Sequence, residues 1–280
     1  MTIPTLTLAD LRTRHRAFLI DAYGVLVDGG AAIPGAAEAI ASLERDGVPW
    51  LLLTNDASRL PETNARRLQG LGIPVPAEKV FSSGSLLAPY FAEHGLVGAR
   101  CVVLGSPDSH AYVRGAGGEV IPASPEDIAD VVVVADDSGY PFVETVDAVL
   151  SMLLRACERG RLPALLLPNP DLIYPARGGN YGFTAGTIAA MFENALALTH
   201  PALGARFVRL GKPSRTIFDA ALARLGTRDA VMLGDQLHTD IAGAHNAGIP
   251  SALVLTGLST RASLQHVDFA PTYLMERLGG

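Results

Sequence analysis

Residues 17–24, AFLIDAYG, carry the reading that decides the fold. Four apolar residues run directly into Asp21, without the polar–apolar alternation of a half-exposed strand, so the run predicts a strand buried on both faces. The same shape recurs along the chain. WLLLT (50–54) ends at Thr54-Asn55, ARFVRL (205–210) leads into Gly211-Lys212-Pro213, and AVMLG (230–234) ends at Asp235. Further apolar runs stand at 100–105, 130–135, 164–168 and 252–256. Helical stretches fall between them, at 34–47, 61–72, 142–160, 184–197, 213–226 and 239–248. The first opens on Pro34 and closes on Gly47, the expected asymmetry of helix ends. Buried strands alternating with helices predict an α/β fold, a Rossmann-like parallel sheet with helices on both faces. Ligands of such sheets bind beyond the carboxyl ends of the strands, so the residue after each run is a candidate.

Composition narrows the classes. A length of 280 residues corresponds to roughly two domains. With 49% hydrophobic and 18% charged residues the chain is not a disordered one. The net charge is −6 and no run of Lys and Arg forms a basic stripe, so no nucleic-acid partner is expected. Cys101 and Cys157 are too few for a disulfide framework and fit a reducing compartment. No clean run of 18 apolar residues and no basic-then-apolar leader is present, so the expectation is a cytoplasmic protein with no membrane span. Of 22 basic residues only Lys79 and Lys212 are lysines, which singles out Lys212 in its Gly-Lys-Pro setting.

Brought to one sheet edge, the run ends supply an acid, a hydroxyl, a cation and an acid pair. That set suits phosphoryl transfer through a carboxylate. Asp21 would attack phosphorus, and Mg²⁺ would sit between Asp21 and Asp235, with Asp240 a direct or water-mediated ligand. Thr54 and its neighbour Asn55 would bind the phosphoryl oxygens, and Lys212 would offset charge and hold the nucleophile. Plainer readings exist for each: Thr54-Asn55 as a helix-capping turn, Gly211-Lys212-Pro213 as a loop, Asp235 and Asp240 as caps. Asp28, before Gly29-Gly30, reads as a turn residue, Asp136-Asp137 as a turn cap and His238 as a solvated loop histidine. Asn169-Pro170-Asp171 and Arg177 follow an apolar run and would read the leaving group.

FLIDAYGVL, LLLTNDASR, GKPSRTIF and MLGDQLHTDIAGAHNAG, in this order, resemble the haloacid dehalogenase superfamily. The wide gap between the second and third motifs is similar to the type IIA subgroup with an inserted C2 α/β cap, which includes nitrophenylphosphatase-like and sugar-phosphatase-like enzymes. VVVVADDSGYPFVETVDAV, LLLPNPD and GFTAGTIAAMFE fit that cap. The resemblance implies a core of residues 1–84 and 206–280, a cap of 85–205, an aspartyl-phosphate intermediate, Mg²⁺ and a small phosphorylated metabolite as substrate. It also implies that the Tyr23 carbonyl joins Asp21, Asp235 and Asp240 around the metal. The apolar stripe of 185–198 and a positive mean hydropathy leave room for a homodimer through the cap. One departure is marked. These phosphatases carry an aspartate two residues after the nucleophile, as acid and then base, and here that residue is Tyr23. Two other readings follow: a phosphoester-binding or scaffold protein with poor turnover, and a dehalogenase, whose Asp-x-Tyr-Gly opening matches residues 21–24. The Asp235/Asp240 pair argues against the latter, which needs no Mg²⁺.

Overall fold

A computed structural model describes residues 3–176, 180–267 and 269–279. Six parallel strands form the first sheet, in the order Tyr273–Met275, Ser251–Val254, Ala230–Gly234, Ala17–Ile20, Trp50–Thr54 and Val80–Ser82. The strand read first from the sequence is central. Phe18 pairs with Val231 on one side and with Trp50 on the other. Its residues alternate between two apolar layers: Phe18 and Ile20 pack with Trp50, Leu52 and Val231, whereas Ala17 and Leu19 pack with Leu51, Leu53 and Met232. Both layers are closed to water, which is why no polar residue interrupts the run.

A second, five-stranded parallel sheet has the order Val208–Arg209, Ala164–Leu167, Val131–Val134, Arg100–Leu104 and Glu119–Ile121. Helix Phe142–Glu158 covers one of its faces. That helix buries Val146, Val149, Met152, Leu153, Ala156 and Cys157, the spacing of a single helical stripe. Helix Ala185–Thr199 adds Ile188, Ala189, Phe192 and Leu196 to the same layer. The opposite face of the second sheet, with Cys101, Val103, Val131 and Val133, belongs to the cluster that holds Leu19 and Leu53 of the first sheet. Phe81, Leu86 and Phe91, from the segment that leads from one sheet to the other, are part of it.

The α/β class, the parallel sheets and the principal helices agree with the sequence reading. The exception is the run 205–210. The sequence reading put residues 206 onward with the first sheet, but Val208–Arg209 pairs with Leu166 and Leu167 of the second. Only two residues pair there, both exposed, before Gly211 turns the chain back. The short edge strands Val80–Ser82, Glu119–Ile121 and Tyr273–Met275 were not foreseen, nor were two hairpins. Val27–Asp28 pairs with Ala31–Ala32 around Gly29 and Gly30, both at positive φ as a two-residue turn requires. Ile173–Pro175 pairs with Tyr181–Phe183. Among the described residues no helix is long and apolar enough to cross a membrane.

Leu19 is fully buried in the layer shared by the two sheets. Leu19→Ala leaves a cavity there and is expected to lower unfolding free energy by about 2–5 kcal/mol. Urea unfolding of the two proteins measures the loss, and a change below about 0.5 kcal/mol, the range of a surface substitution, would contradict this packing.

Candidate active site

Parallel pairing brings the carboxyl ends of the first sheet to one edge, and the polar residues stand there. Asp21 follows Ile20, and its N–H extends the ladder by donating to the Leu233 carbonyl at 2.9 Å. Asp235 follows the neighbouring strand, and Thr54 ends the strand on the other side. Asp240 lies on the helical turn Leu237–Ile241, of the wide π type that recurs at functional sites. Lys212 arrives from the second sheet, two residues beyond Leu210, whose N–H donates to the Leu167 carbonyl at 3.0 Å.

Charge organises the centre. The Lys212 ammonium donates to Asp21 Oδ1 and to Asp240 Oδ1, each at 2.6 Å, and all three residues are buried. Burial pushes the Asp21 carboxyl up to about 7, with Lys212 pulling it back. Burial would lower the Lys212 ammonium, but Asp21 and Asp240 outweigh it and hold the group above its ordinary value. Asp235 is raised well above the usual carboxylate range by burial and then by Asp21 and Asp240.

Asp21, Asp235 and Asp240 each offer an oxygen within 4.8 Å of the others. One ammonium cannot balance three carboxylates, and Asp235 is where the balance fails. Its Oδ2 accepts from the Leu258 N–H at 2.7 Å, while its Oδ1 is buried without a hydrogen-bond partner. Buried polar atoms are normally paired, so an orphaned carboxylate oxygen in an acidic cluster fits a hard divalent cation. The backbone is drawn tightly around this carboxylate. A Cβ at Gly24 or at Gly257 would overlap Asp235 Oδ2, and one at Gly234 would overlap Asp240.

A cavity of about 260 Å³ opens onto Asp21 and Lys212. Its first-sheet wall includes Tyr23, Thr54, Asp56, Ser58 and Arg59, and its second-sheet wall includes Asp136, Asp137, Asn169, Asp171 and Thr184. The Thr54 hydroxyl accepts from the Asp56 N–H at 3.2 Å, which leaves its own proton free to donate. Arg59 pairs with Asp56 at 2.8 Å. Burial, then the hydrogen bond with Asp137, raises the Asp136 carboxyl to about 6.

The structure thus gathers Asp21, Thr54, Lys212, Asp235 and Asp240 as the sequence reading required. Asn55 is also in the cavity wall, but its amide is committed to protein partners: Lys212 N–H at 2.7 Å, Lys212 carbonyl at 3.0 Å and Asp171 Oδ1 at 2.9 Å. Tyr23 lines the cavity half-buried, with the Arg67 guanidinium 4.9 Å from its ring centre. Burial, then Asp56, raises its phenol above the ordinary value. Asp28 is an exposed hairpin residue away from the cavity, as its turn reading expected. His238 is exposed and lines an adjoining cavity of about 700 Å³ that shares Asp171 and Lys212 with the first. Asp136, Asp137, Asn169 and Asp171 do reach the site, and Arg177 lies outside the described residues. Ser58 and Arg59 were missed. They end the quoted LLLTNDASR motif, and only their place beyond the strand end hinted at the site.

Residues 18–119 match the family model for haloacid dehalogenase-like hydrolases, and 209–280 match a second, HAD-hydrolase-like one. The chain belongs to the haloacid dehalogenase superfamily. This hydrolase is 27% identical to a dihydroxyacetone phosphatase of Corynebacterium glutamicum over 95% of its own length and 90% of that protein's. Its fold matches a possible sugar phosphatase of Cytophaga hutchinsonii with a TM-score of 0.86, at 27% identity, covering 100% of this chain and 99% of the other. A glycerol phosphate phosphatase of Mycobacterium tuberculosis, in complex with magnesium, matches with a TM-score of 0.78 at 27% identity over 95% of this chain and 76% of that one. The superfamily member described here is a phosphoric monoester hydrolase.

Gly257→Ala is expected to displace the Asp235 carboxylate while leaving the sheets intact. Phosphate release should fall at least about tenfold, as for loss of a hydrogen bond to a charged group in the transition state. Circular dichroism would check the fold, and undiminished turnover would place Asp235 outside the chemistry.

Proposed function

We propose that this hydrolase removes phosphate from a small phosphorylated metabolite through an aspartyl-phosphate on Asp21, with Mg²⁺ as cofactor. The observation that carries the reading is the orphaned Asp235 Oδ1 within a carboxylate cluster already holding Lys212. Asp21 and Asp235 would hold the ion directly, together with the Tyr23 carbonyl. Asp240, whose oxygens already accept from Lys212 and from the Gln236 N–H, would reach it through a water. Bound Mg²⁺ would neutralise phosphoryl oxygens and so lower the repulsion between two anions.

The protein's own groups account for the rest. An Asp21 oxygen attacks phosphorus as the bond to the leaving oxygen breaks, and water then cleaves the acyl phosphate to return the carboxylate. Lys212 holds the Asp21 oxygen it bonds and offsets charge gathering at phosphorus. The Thr54 hydroxyl donates to a phosphoryl oxygen. The second-sheet wall, with Asp136, Asn169 and Asp171, faces the leaving group. A cavity of about 260 Å³ suits a leaving group of a few carbons, in keeping with the compounds in the relatives' names. Tyr23 favours a second reading, a phosphoester-binding protein with slow turnover. A phenol held above its ordinary value is a poor acid for an alkoxide.

A chromogenic aryl phosphate with and without Mg²⁺ tests the main reading. Asp21→Asn should abolish phosphate release and keep the fold, and substantial residual rate would remove the covalent mechanism. Millimolar Mg²⁺ should raise the thermal midpoint, because a ligand that binds only the native state stabilises it. Asp235→Asn should erase most of that shift; a wild-type midpoint indifferent to Mg²⁺ counts against the metal.

Tyr23 has its own signature. A positioned general acid contributes about 10²–10⁴-fold, so alkyl phosphates should react far more slowly than aryl ones. Tyr23→Asp should raise kcat/KM for alkyl substrates more than for aryl ones. Equal efficiency on both classes in the wild type would show that another group already supplies the proton.

A further inference from the structure

The amide of Asn55 forms a fork between the two sheets. Its oxygen accepts from the Lys212 N–H at 2.7 Å and its nitrogen donates to the Lys212 carbonyl at 3.0 Å, so it pairs with that main chain as a neighbouring strand would. The second proton of the same nitrogen goes to Asp171 Oδ1 at 2.9 Å. A primary amide has two donor hydrogens, and both are used. Asp171 sits on the loop after strand Ala164–Leu167 and is fixed there. Its N–H donates to Asn169 Oδ1 at 3.1 Å, and its carbonyl accepts from Thr184 Oγ1 at 3.1 Å and from the Gly186 N–H at 3.0 Å. The chain entering Lys212 is gripped from both sides: a Cβ at Gly211 would overlap Asn55 Oδ1 and come within 2.5 Å of the Pro168 carbonyl.

An ionised carboxylate only accepts hydrogen bonds. Asp171 therefore admits only the NH₂ edge of Asn55, which is the orientation that turns the amide oxygen to the Lys212 N–H. A half-turn of the amide would set donor against donor at Lys212 and oxygen against oxygen at Asp171. The side chain that Lys212 carries is the one lying between Asp21 and Asp240 at 2.6 Å from each. A displacement of the main chain at Lys212 would move the base of that side chain and bear on both contacts.

We propose that Asp171 is a positioning residue: by orienting the Asn55 amide from the second sheet, it fixes the Lys212 main chain and so keeps the ammonium on the nucleophile. The inference rests on the reading in which Lys212 serves catalysis, and it extends that reading to a contact that spans the two sheets. The cap loop would then contribute to the chemical step itself as well as to leaving-group recognition.

A double-mutant cycle on Asn55 and Asp171, read on an aryl phosphate, tests it. Asp171→Ala should lower kcat about tenfold with KM within about twofold, the effect of one hydrogen bond to a charged group. Asp171→Asn, whose side-chain oxygen still accepts, should recover at least half of the lost rate. In an Asn55→Ala background, adding Asp171→Ala should cost nothing further, because the second residue acts through the first. Hydrogen exchange at the Lys212 N–H, which needs no substrate, should quicken in Asp171→Ala. If that variant does not fold, Asp171→Ser, too short to reach Asn55, carries the same measurements. Unchanged exchange, additive losses in the double variant, or a raised KM with unchanged kcat each overturns the proposal, the last by making Asp171 a direct substrate contact. Wild-type protein that releases no phosphate from any ester defeats the phosphatase reading instead, and the exchange result alone then decides whether Asp171 holds Lys212.

Discussion

The ammonium of Lys212, held between Asp21 and Asp240, is the interaction on which the site depends. Three carboxylates gathered within 4.8 Å and closed to water would repel one another and lose their hydration at once. Lys212 makes the arrangement tolerable at two of them. It also explains the local backbone. The glycines at 24, 234 and 257 are the places where main chain passes so close to Asp235 or Asp240 that no side chain fits. The sequence around each strand end is therefore shaped by the charges as much as by the sheet. The sheet in turn is what makes the charges meet, since parallel pairing puts Asp21 and Asp235 on adjacent strand ends.

Much of this was legible because the informative residues interrupt apolar runs. A strand buried on both faces leaves no polar position inside it, so Asp21, Thr54 and Asp235 stand out as the first residues that could do chemistry. Lys212 was visible for a compositional reason, in a chain that otherwise uses arginine. What was not legible depends on contacts distant in sequence. Asn55 meets residues 157 and 116 positions away, and nothing local distinguishes a phosphate-binding amide from a clamp. Val208–Arg209 is an exposed two-residue edge whose partner is chosen by tertiary pairing. Glu119–Ile121 and Tyr273–Met275 are short strands with exposed or half-exposed positions, so neither shows a buried run. Asp136 follows an apolar run just as Asp21 does, but on a loop where a turn cap looks the same, and the tie of Asp171 to Asn55 is invisible in a segment that reads only as facing the leaving group.

Tyr23, two residues after Asp21, is held from two sides. The position faces the cavity on one side and the apolar layer of Phe18 and Trp50 on the other. A carboxylate there would enter a site where Asp21 and Asp56 already make themselves felt. The aromatic ring instead meets Arg67, whose Nη1 is buried without a hydrogen-bond partner, through its π face. Tyr23 thus makes a cation–π contact between the loop after the first strand and helix Pro61–Gly70.

The two walls of the cavity differ in what holds them, and this divides their work. At the end of the first sheet Asp21, Asp235 and Asp240 are buried, Asp21 and Asp240 share the Lys212 ammonium, and backbone confines Asp235 and Asp240, so moving any of them disturbs the rest. On the second sheet Asp136 and Asn169 stand on half-exposed loops that bear less on the core. Half-exposed loop residues can change with little loss of stability, which is where substrate preference is free to vary. Asp171 is the exception, since its side chain crosses to Asn55 and joins the rigid half. A loop free to change its other residues is therefore tied at one residue to the group that holds Asp21. In this arrangement a change in leaving-group preference need not alter the chemistry, provided that the Asn55–Asp171 contact is kept.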